Sequence, residues 1–300
     1  MTEPVQKCGF VALLGAPNAG KSTLLNTIVG AKVSIVTPKV QTTRTRILGV
    51  SIVNGAQLVF IDTPGIFKPK RRLDRAMVAA AWGGASDSDI ILLLIDAKTG
   101  IDRDTRRIID GLKESKRKAI CVLNKIDTVK RPTLLALTDQ LVSEEIFTDF
   151  FMISALNGDG VEDLRSELAN RLPEGPWHFP EDQLSDMNDR LFAAEITREK
   201  LYLNLHQELP YALTVETETW EPFDNGAVKV EQVIFVERDS QKGIVLGKGG
   251  ERIKRIRTLA QQELKEILGR DVHLFLFVKV RENWGDDPER YRDWGLDFSI

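Results

Sequence analysis

Phe10–Leu14 is a short apolar run that ends in Gly15-Ala-Pro-Asn-Ala-Gly20-Lys21-Ser22-Thr23, after which a helical pattern begins. A buried strand, a glycine-rich turn and a helix in that order leave few architectures open. The helix must cross back over a sheet, so a later strand can lie parallel beside the first. Further apolar runs supply the neighbours: Leu58–Ile61, Ile90–Ile95, Ala119–Leu123 and Phe150–Ile153. Amphipathic stretches such as Asp104–Glu114 and Val161–Leu172 lie between them. The alternation predicts an α/β domain, a mostly parallel sheet with helices on both faces. Ile47–Val53 and Gln57–Phe60, joined by Asn54-Gly55, read as a hairpin and predict one antiparallel edge strand.

The alternation stops at Leu172-Pro-Glu-Gly-Pro-Trp-His-Phe-Pro180, which can continue neither a helix nor a central strand. We therefore divide the chain into residues 1–175, a proline-rich linker at 176–185, and a smaller α+β domain with a C-terminal tail at 186–300. The second part starts with a helix at about 186–207, with Leu191, Ile196, Leu201 and Leu205 along one side. Strands Tyr211–Thr219 and Ala227–Glu237, a helix and a last strand Val272–Val280 follow. Two domains suit 300 residues. The composition, 42% hydrophobic and 28% charged, excludes a disordered chain. The longest apolar run, Ile90–Ile95, is far short of a membrane span, and the N-terminal residues read as the lead-in to a strand rather than a signal peptide. Cys8 and Cys121 read as reduced, core-facing thiols of a cytosolic protein.

The loops after the strands carry the chemistry. Gly15 to Ser22 fits a phosphate-binding loop, in which successive backbone N–H groups, those of Ala19, Gly20 and Thr23 among them, and the helix N-terminus wrap phosphates. Lys21 reaches the outer phosphates, and the Ser22 hydroxyl is placed to coordinate Mg2+. Asp62-Thr-Pro-Gly65 ends another strand. There Asp62 enters the Mg2+ shell through water and the Gly65 N–H faces the terminal phosphate. In Asn124-Lys-Ile-Asp127, the Asp127 carboxylate accepts from N1–H and N2–H2 of guanine, donors that adenine lacks. A buried carboxylate left without them is costly, so ATP is rejected. Asn124 ties this loop to the phosphate loop, Lys125 lies along the base, and Ser154-Ala155-Leu156 offers a backbone N–H to guanine O6. Together these fragments spell a GTP site.

Two positions bear on hydrolysis. Ile66 follows Gly65 where Ras-like GTPases place a water-orienting glutamine, so no side chain is identified as a base. Asn18 either adopts a favoured turn conformation or holds a monovalent cation such as K+ against the phosphates. Val36–Arg46 is the first switch, in which a threonine hydroxyl completes the Mg2+ shell and senses the γ-phosphate. The second, Ile66–Arg75, carries Lys68, Lys70, Arg71, Arg72 and Arg75, read as a solvated charged loop.

A second phosphate grip lies at Leu246-Gly-Lys-Gly-Gly-Glu-Arg-Ile-Lys-Arg-Ile-Arg257. Seven basic and two acidic residues fall between Arg238 and Arg257 in a chain of net charge −3, so the positive charge is local. Gly247, Gly249 and Gly250 let the backbone approach a nucleic-acid strand. Lys248, Arg252, Lys254 and Arg255 add charge at a helix N-terminus. Ile244, Val245, Leu246, Ile253, Ile256 and Leu259 are expected to anchor the turn. This is the signature of a KH domain, whose GxxG loop clamps about four nucleotides of single-stranded nucleic acid. Phe275 and Phe277 are expected in the core. Trp284, Tyr291 and Trp294 either stack on bases or pack the tail.

The front half resembles the translation-factor-related GTPases. With GAPNAGKST at Gly15, QTTRTR at Gln41, DTPG at Asp62, NKID at Asn124, SAL at Ser154 and VLGKGGERIKRI at Val245, the whole chain resembles the Era family of bacterial GTPases. The resemblance selects Thr43, the threonine just before Arg44, over Thr42 as the Mg2+ ligand. It makes Ile66 ordinary at its position, and related GTPases with the Asn18 equivalent are potassium-stimulated. It implies GTP/GDP and Mg2+ as ligands and a monomeric assembly factor of the small ribosomal subunit, gripping small-subunit (16S-type) rRNA near its 3′ end. It further implies a cytoplasmic location with peripheral association at the inner membrane. The other readings are an RNA-binding chaperone whose G domain barely hydrolyses GTP, and a tRNA-modification-type GTPase.

Overall fold

The computed structural model describes residues 6–205 and 209–300. Residues 1–5, and 206–207 at the end of the expected long helix, lie outside them. The chain order is β1 (Lys7–Gly15), α1 (Lys21–Val29), β2 (Ile47–Val53), β3 (Ala56–Asp62), α2 (Arg72–Ser86), β4 (Ile90–Asp96), α3 (Arg103–Glu114), β5 (Ala119–Asn124), α4 (Arg131–Val142), β6 (Phe147–Ile153) and α5 (Val161–Arg171). There follow α6 (Asp189–Asn204), β7 (Leu213–Pro222), β8 (Val228–Val236), α7 (Asp239–Leu246), α8 (Glu251–Leu268), β9 (Val272–Val280) and α9 (Pro288–Asp293).

The first sheet has the strand order β2-β3-β1-β4-β5-β6 and is parallel except for the β2–β3 hairpin, as the apolar runs and Asn54-Gly55 predict. Val11 to Leu14 and Leu92 to Ile95 are fully buried, because helices cover both faces of these central strands. All parallel strands end on the same side, so the loops after β1, β3, β5 and β6 gather at the carboxyl edge, where open α/β sheets bind ligands.

The chain folds as two compact units that do not follow the sequential division. The first comprises the residues up to Ser34 with Thr43–Asp186 and Glu289–Ile300; the second comprises Ile35–Thr42 and Met187–Pro288. The proline-rich stretch is docked along the edge strand of the first unit. The Val50 N–H donates to Leu184 O at 2.9 Å, and the Leu48 N–H donates to Asp186 Oδ1 at 3.0 Å. The Gln57 side chain accepts from the N–H groups of His178 (2.8 Å) and Phe179 (3.0 Å) and donates to Phe179 O (2.8 Å). The prolines end regular structure, and the stretch then covers a strand edge that would otherwise be open to pairing.

In the second unit, β8 pairs antiparallel with β7 and parallel with β9. Helix α6 starts where the Asn188 side chain accepts from the Leu191 N–H at 2.9 Å. Its Ile196 and Leu201 are fully buried, and the core they help to form continues through Val230, Ile256, Ala260 and Leu264.

Three expectations fail here. Helix α7 was not foreseen; it has eight residues with a helix-weakening Gly243 inside, and it is started by Gln241, whose side chain accepts from the N–H groups of Glu237 and Arg238. Phe275 and Phe277 are 46% and 49% exposed rather than core. Strand β9 is an edge strand whose Val272 and Leu274 face the helices, so the alternate residues point outward. Of the expected loop anchors, Val245 and Ile256 are buried and Leu246 and Ile253 half-buried, while Ile244 and Leu259 are exposed, each standing one or more positions off the buried stripe of its helix. Trp284, Tyr291 and Trp294 are buried, and the Trp284 indole donates to Ala212 O at 3.1 Å, so they pack rather than wait for bases.

Candidate functional site

Gly20 ends the phosphate loop at φ 98°, a conformation that glycine tolerates at little cost, and caps α1 with its free N–H groups. The space for a side chain is already taken. A Cβ on Gly20 would sit 2.2 Å from Asn124 Nδ2. Asn124, 1% exposed at the end of β5, donates to Ala19 O (2.8 Å) and accepts from the N–H groups of Lys125 (2.8 Å) and Ala155 (3.0 Å). One amide thus staples the loops after β1, β5 and β6. Lys125 reaches back over the phosphate loop, donating to Asn18 O at 2.7 Å and pairing with Asp96 at 2.6 Å. Asn18 stands at φ 62°, the left-handed turn conformation favoured by asparagine.

Lys21 is buried, with its ammonium donating to the carbonyls of Gly15 (3.1 Å) and Ala16 (3.2 Å). Burial pulls its pKa down to about 8, against the attraction of Asp62. The Ser22 and Thr43 hydroxyls lie 2.9 Å apart, and Asp62 Oδ2 accepts from Ser22 (2.7 Å) and Ser34 (3.0 Å). Burial pushes the Asp62 carboxyl up. Its second oxygen, Oδ1, is buried without a hydrogen-bond partner, an arrangement that costs about 1–3 kcal/mol unless a cation or its water shell completes it. Two hydroxyls and a carboxylate with an orphaned oxygen form a hard, all-oxygen donor set that suits Mg2+. Ser34 was not singled out in the sequence, where one serine in a loop carries no pattern. Thr42 lies outside this corner: its hydroxyl is 2.6 Å from that of Thr37 and donates to Lys39 O.

Gly65 packs against Pro17, whose Cα and N would stand 2.9 Å from an added Cβ. The Ile66 N–H donates to Gly15 O at 3.2 Å, and its side chain is fully buried among Leu14, Ala81 and Ile95. Asp127 departs from the sequence reading. Its residue is exposed rather than buried, at the rim after β5, with Oδ1 accepting from Ser154 at 2.6 Å. Its carboxylate is therefore solvated until a base covers it. Ser154 and Ala155 are buried with their N–H groups bonded to Asp159 O and Asn124 Oδ1, whereas Leu156 is 80% exposed. Thr23, on the first turn of α1, accepts through its carbonyl from Thr27. Lys68, Lys70, Arg71, Arg72 and Arg75 are exposed, but Arg72 and Arg75 stand on the first turn of α2 rather than in the expected loop.

In the second unit, α7 ends at Gly247 (φ 75°), and Gly249 (φ 59°) and Gly250 (φ 79°) turn the chain into α8. Gly249 and Gly250 have open space where a side chain would stand. Lys248, Lys254 and Arg255 are exposed. Arg252 differs from expectation, its guanidinium bonding Ile244 O at the end of α7, so it braces the turn. A groove of about 450 Å³ runs beside the loop, lined by Asn204, Gly247, Lys248, Glu251, Arg252 and Arg255. Asn204, the last residue of α6, is an addition that sequence distance concealed.

Residues 10–125 match the family described as 50S ribosome-binding GTPase, and residues 208–285 match the KH domain family. The GTPase Era of Sinorhizobium medicae is 63% identical over 97% of this chain and 94% of that protein. The GTPase Era of Brucella suis is 60% identical over 99% of this chain and 96% of that protein. Among solved structures, an Aquifex aeolicus Era variant bound to GDP and aluminium fluoride superposes with a TM-score of 0.91 at 41% identity, covering 97% of this chain and 99% of that one. An Era in complex with MgGDPNP and nucleotides 1506–1542 of 16S ribosomal RNA gives 0.92 at 40% identity over 97% and 99%.

Proposed function

The chain belongs to the Era family of GTPases, and from that premise we propose that it is a GTP-hydrolysing switch acting in small-subunit ribosome assembly. It grips 16S-type rRNA near the 3′ end through its GxxG loop. The observation that carries this reading is the corner of Ser22, Thr43 and Asp62 with its orphaned carboxylate oxygen, at the end of a phosphate loop. Mg2+ bound there neutralises charge on the β- and γ-phosphates of GTP.

The chain's own groups account for the rest. Backbone N–H groups from Asn18 to Thr23 receive the phosphates, and Lys21 is already inside the loop, where the phosphates restore its full charge. The Gly65 N–H faces the γ-phosphate while water attacks in line, giving GDP and phosphate. Asp127 accepts from guanine N1–H and N2–H2. The engaged N–H groups of Ser154 and Ala155 leave that of Leu156 for guanine O6. Ile66 contributes nothing to the water, so basal hydrolysis is slow and RNA or the ribosome raises it. Thr43, rather than Thr42, senses the γ-phosphate. Potassium stimulation rests on Asn18 and is checked by hydrolysis rates in KCl against NaCl.

Gly247, Lys248, Gly249, Gly250, Lys254 and Arg255 hold the RNA backbone, with Arg252 bracing the turn. The protein acts as a cytoplasmic monomer with peripheral inner-membrane association; no helix among the described residues is long and apolar enough to cross a membrane. The test is RNA crosslinking in cells, comparing the parent chain with Gly249→Asp. Loss of small-subunit rRNA crosslinks is expected, and unchanged crosslinks would remove the RNA assignment. The buried Ile66 also favours a second reading, an RNA-binding chaperone with an almost idle G domain. Single-turnover hydrolysis with and without RNA separates the two.

A further inference from the structure

The boundary between the compact units falls between Thr42 and Thr43, inside the first switch. Thr43 lies in the Ser22–Asp62 corner, while the eight residues before it are built into the second unit. Ile35 is 1% exposed in that unit's core, beside Ala193, Ile196, Ala260 and Leu264. The Val36 N–H donates to Glu199 Oε1 at 2.9 Å, and the Lys39 ammonium donates to Leu205 O at the end of α6. The Arg198 guanidinium donates to Thr42 O and is itself held by Glu195, with Nε at 2.8 Å from Oε1. Glu195, Arg198 and Glu199 are 8%, 1% and 3% exposed.

Charges buried this deeply on one helix are costly unless each is paired, and here the switch backbone supplies part of the pairing. Arg198 Nη1 still has no hydrogen-bond partner, so the clasp is not fully satisfied. Polar contacts then continue across α6. Lys200 pairs with Glu199 at 2.9 Å and also with Glu263 on α8, the helix that follows the GxxG loop. An unbroken line of polar groups runs Val36, Glu199, Lys200, Glu263, from switch backbone to RNA-loop helix.

We propose that Arg198 and Glu199 are positioning residues for the nucleotide switch: they clasp Ile35–Thr42 on α6, fix Thr43 through the adjoining peptide, and so tie the GTP state to the RNA grip. The proposal rests on the switch reading above and names the residues that perform the coupling. When Thr43 is drawn into the γ-phosphate corner, the Thr42 carbonyl and Val36 N–H must keep or leave their partners on α6. Whatever changes there changes the Glu199–Lys200–Glu263 line, which meets α8 in its C-terminal half and reaches the GxxG loop through the helix itself. Linkage makes the effect reciprocal, so RNA must alter affinity for a GTP analogue by the same factor that the analogue alters affinity for RNA.

The test uses the full chain, GDP, GDPNP with Mg2+, and an RNA matching nucleotides 1506–1542 of 16S ribosomal RNA. The parent chain is expected to bind this RNA about 5–150-fold differently in its GDPNP and GDP forms, the usual span for coupled sites. Glu195→Gln with Arg198→Met removes both charges of that buried pair together and avoids stranding one. Lys39→Met and Glu263→Gln are milder and leave the core intact. Each should bring the RNA ratio to about twofold or less, while GDP affinity stays within about twofold because GDP makes no demand on Thr43. Variants that fold, bind GDP normally and keep the parent ratio would overturn the proposal. A parent chain whose RNA affinity ignores the nucleotide would instead overturn the switch reading, and this inference with it.

Discussion

Asn124 and Gly20 occupy each other's space, and that makes a quantitative test of the site. Asn124→Ala removes three hydrogen bonds from a side chain that is 1% exposed. At about 1 kcal/mol each, the loss is about 3 kcal/mol. Gly20→Ala puts a Cβ 2.2 Å from Asn124 Nδ2, so the amide must leave and the same three bonds go. The left-handed φ of 98° adds about 1 kcal/mol, for a total of about 4. With Asn124 already alanine, Gly20→Ala finds no clash, and only the backbone strain remains. The double variant should therefore lose about 4 kcal/mol rather than the additive sum of about 7, a coupling of about 3 kcal/mol. Urea unfolding of the four proteins measures the cycle, and GDP titration measures it again in binding. Additivity within about 0.5 kcal/mol would refute the claim that one amide both fills the Gly20 space and staples the three loops.

The pH dependence of the nucleotide-free protein follows from Lys21. Its folded pKa of about 8 lies below the ordinary 10.5, so the burial cost is present in full below about 8 and is relieved as pH rises toward 10.5. Relative to Lys21→Met, stability should rise by about 3 kcal/mol across that window, and nucleotide binding at pH 8.5 should take up protons, read by calorimetry in two buffers of different ionisation enthalpy. Thr43→Ala should weaken GDPNP binding about tenfold or more and spare GDP, whereas Thr42→Ala should leave both within about threefold; filter binding distinguishes them. Ile66→Gln should not accelerate hydrolysis, because position 66 faces the core, and should cost about 1–3 kcal/mol in a thermal melt. A rate increase with unchanged stability would mean that the side chain reaches the water.

Much of the first unit is legible in the sequence because its strands announce themselves twice, by an apolar run and by the loop chemistry at the carboxyl end. Gly15–Ser22, Asp62–Gly65, Asn124–Asp127 and Ser154–Leu156 each stand directly after a strand. What escapes are features without a period. Leu184 and Asp186 pair with β2 from an irregular stretch that prolines mark only as a break. Ser34 is one hydroxyl among many until Asp62 comes within 3.0 Å. Phe275 and Phe277 mislead because β9 carries apolar residues on both faces, and only the helices packed on one side of the sheet decide which face is covered. Ile35 is one of several apolar residues, Val33 and Val36 beside it, in an irregular stretch without a period, and its partners stand some 160 to 230 positions away, roughly the length of a whole domain.

The interleaving of the two units also bears on how such a chain is made. Synthesis delivers Ile35–Thr42 early, yet the core that receives Ile35 needs Ala193, Ala260 and Leu264, which emerge much later. Conversely, Glu289–Ile300, with Tyr291 buried and Phe298 beneath the Arg72 guanidinium, belongs to the first unit but follows the entire second one. The usual order, in which an N-terminal domain closes before the next is translated, is not open to this topology. A nascent GTPase unit waits with its switch undocked until the RNA-gripping unit exists. A ribosome stalled between the two should release a protein with an incomplete nucleotide switch, and excising either unit at residue 186 would take a needed piece from both.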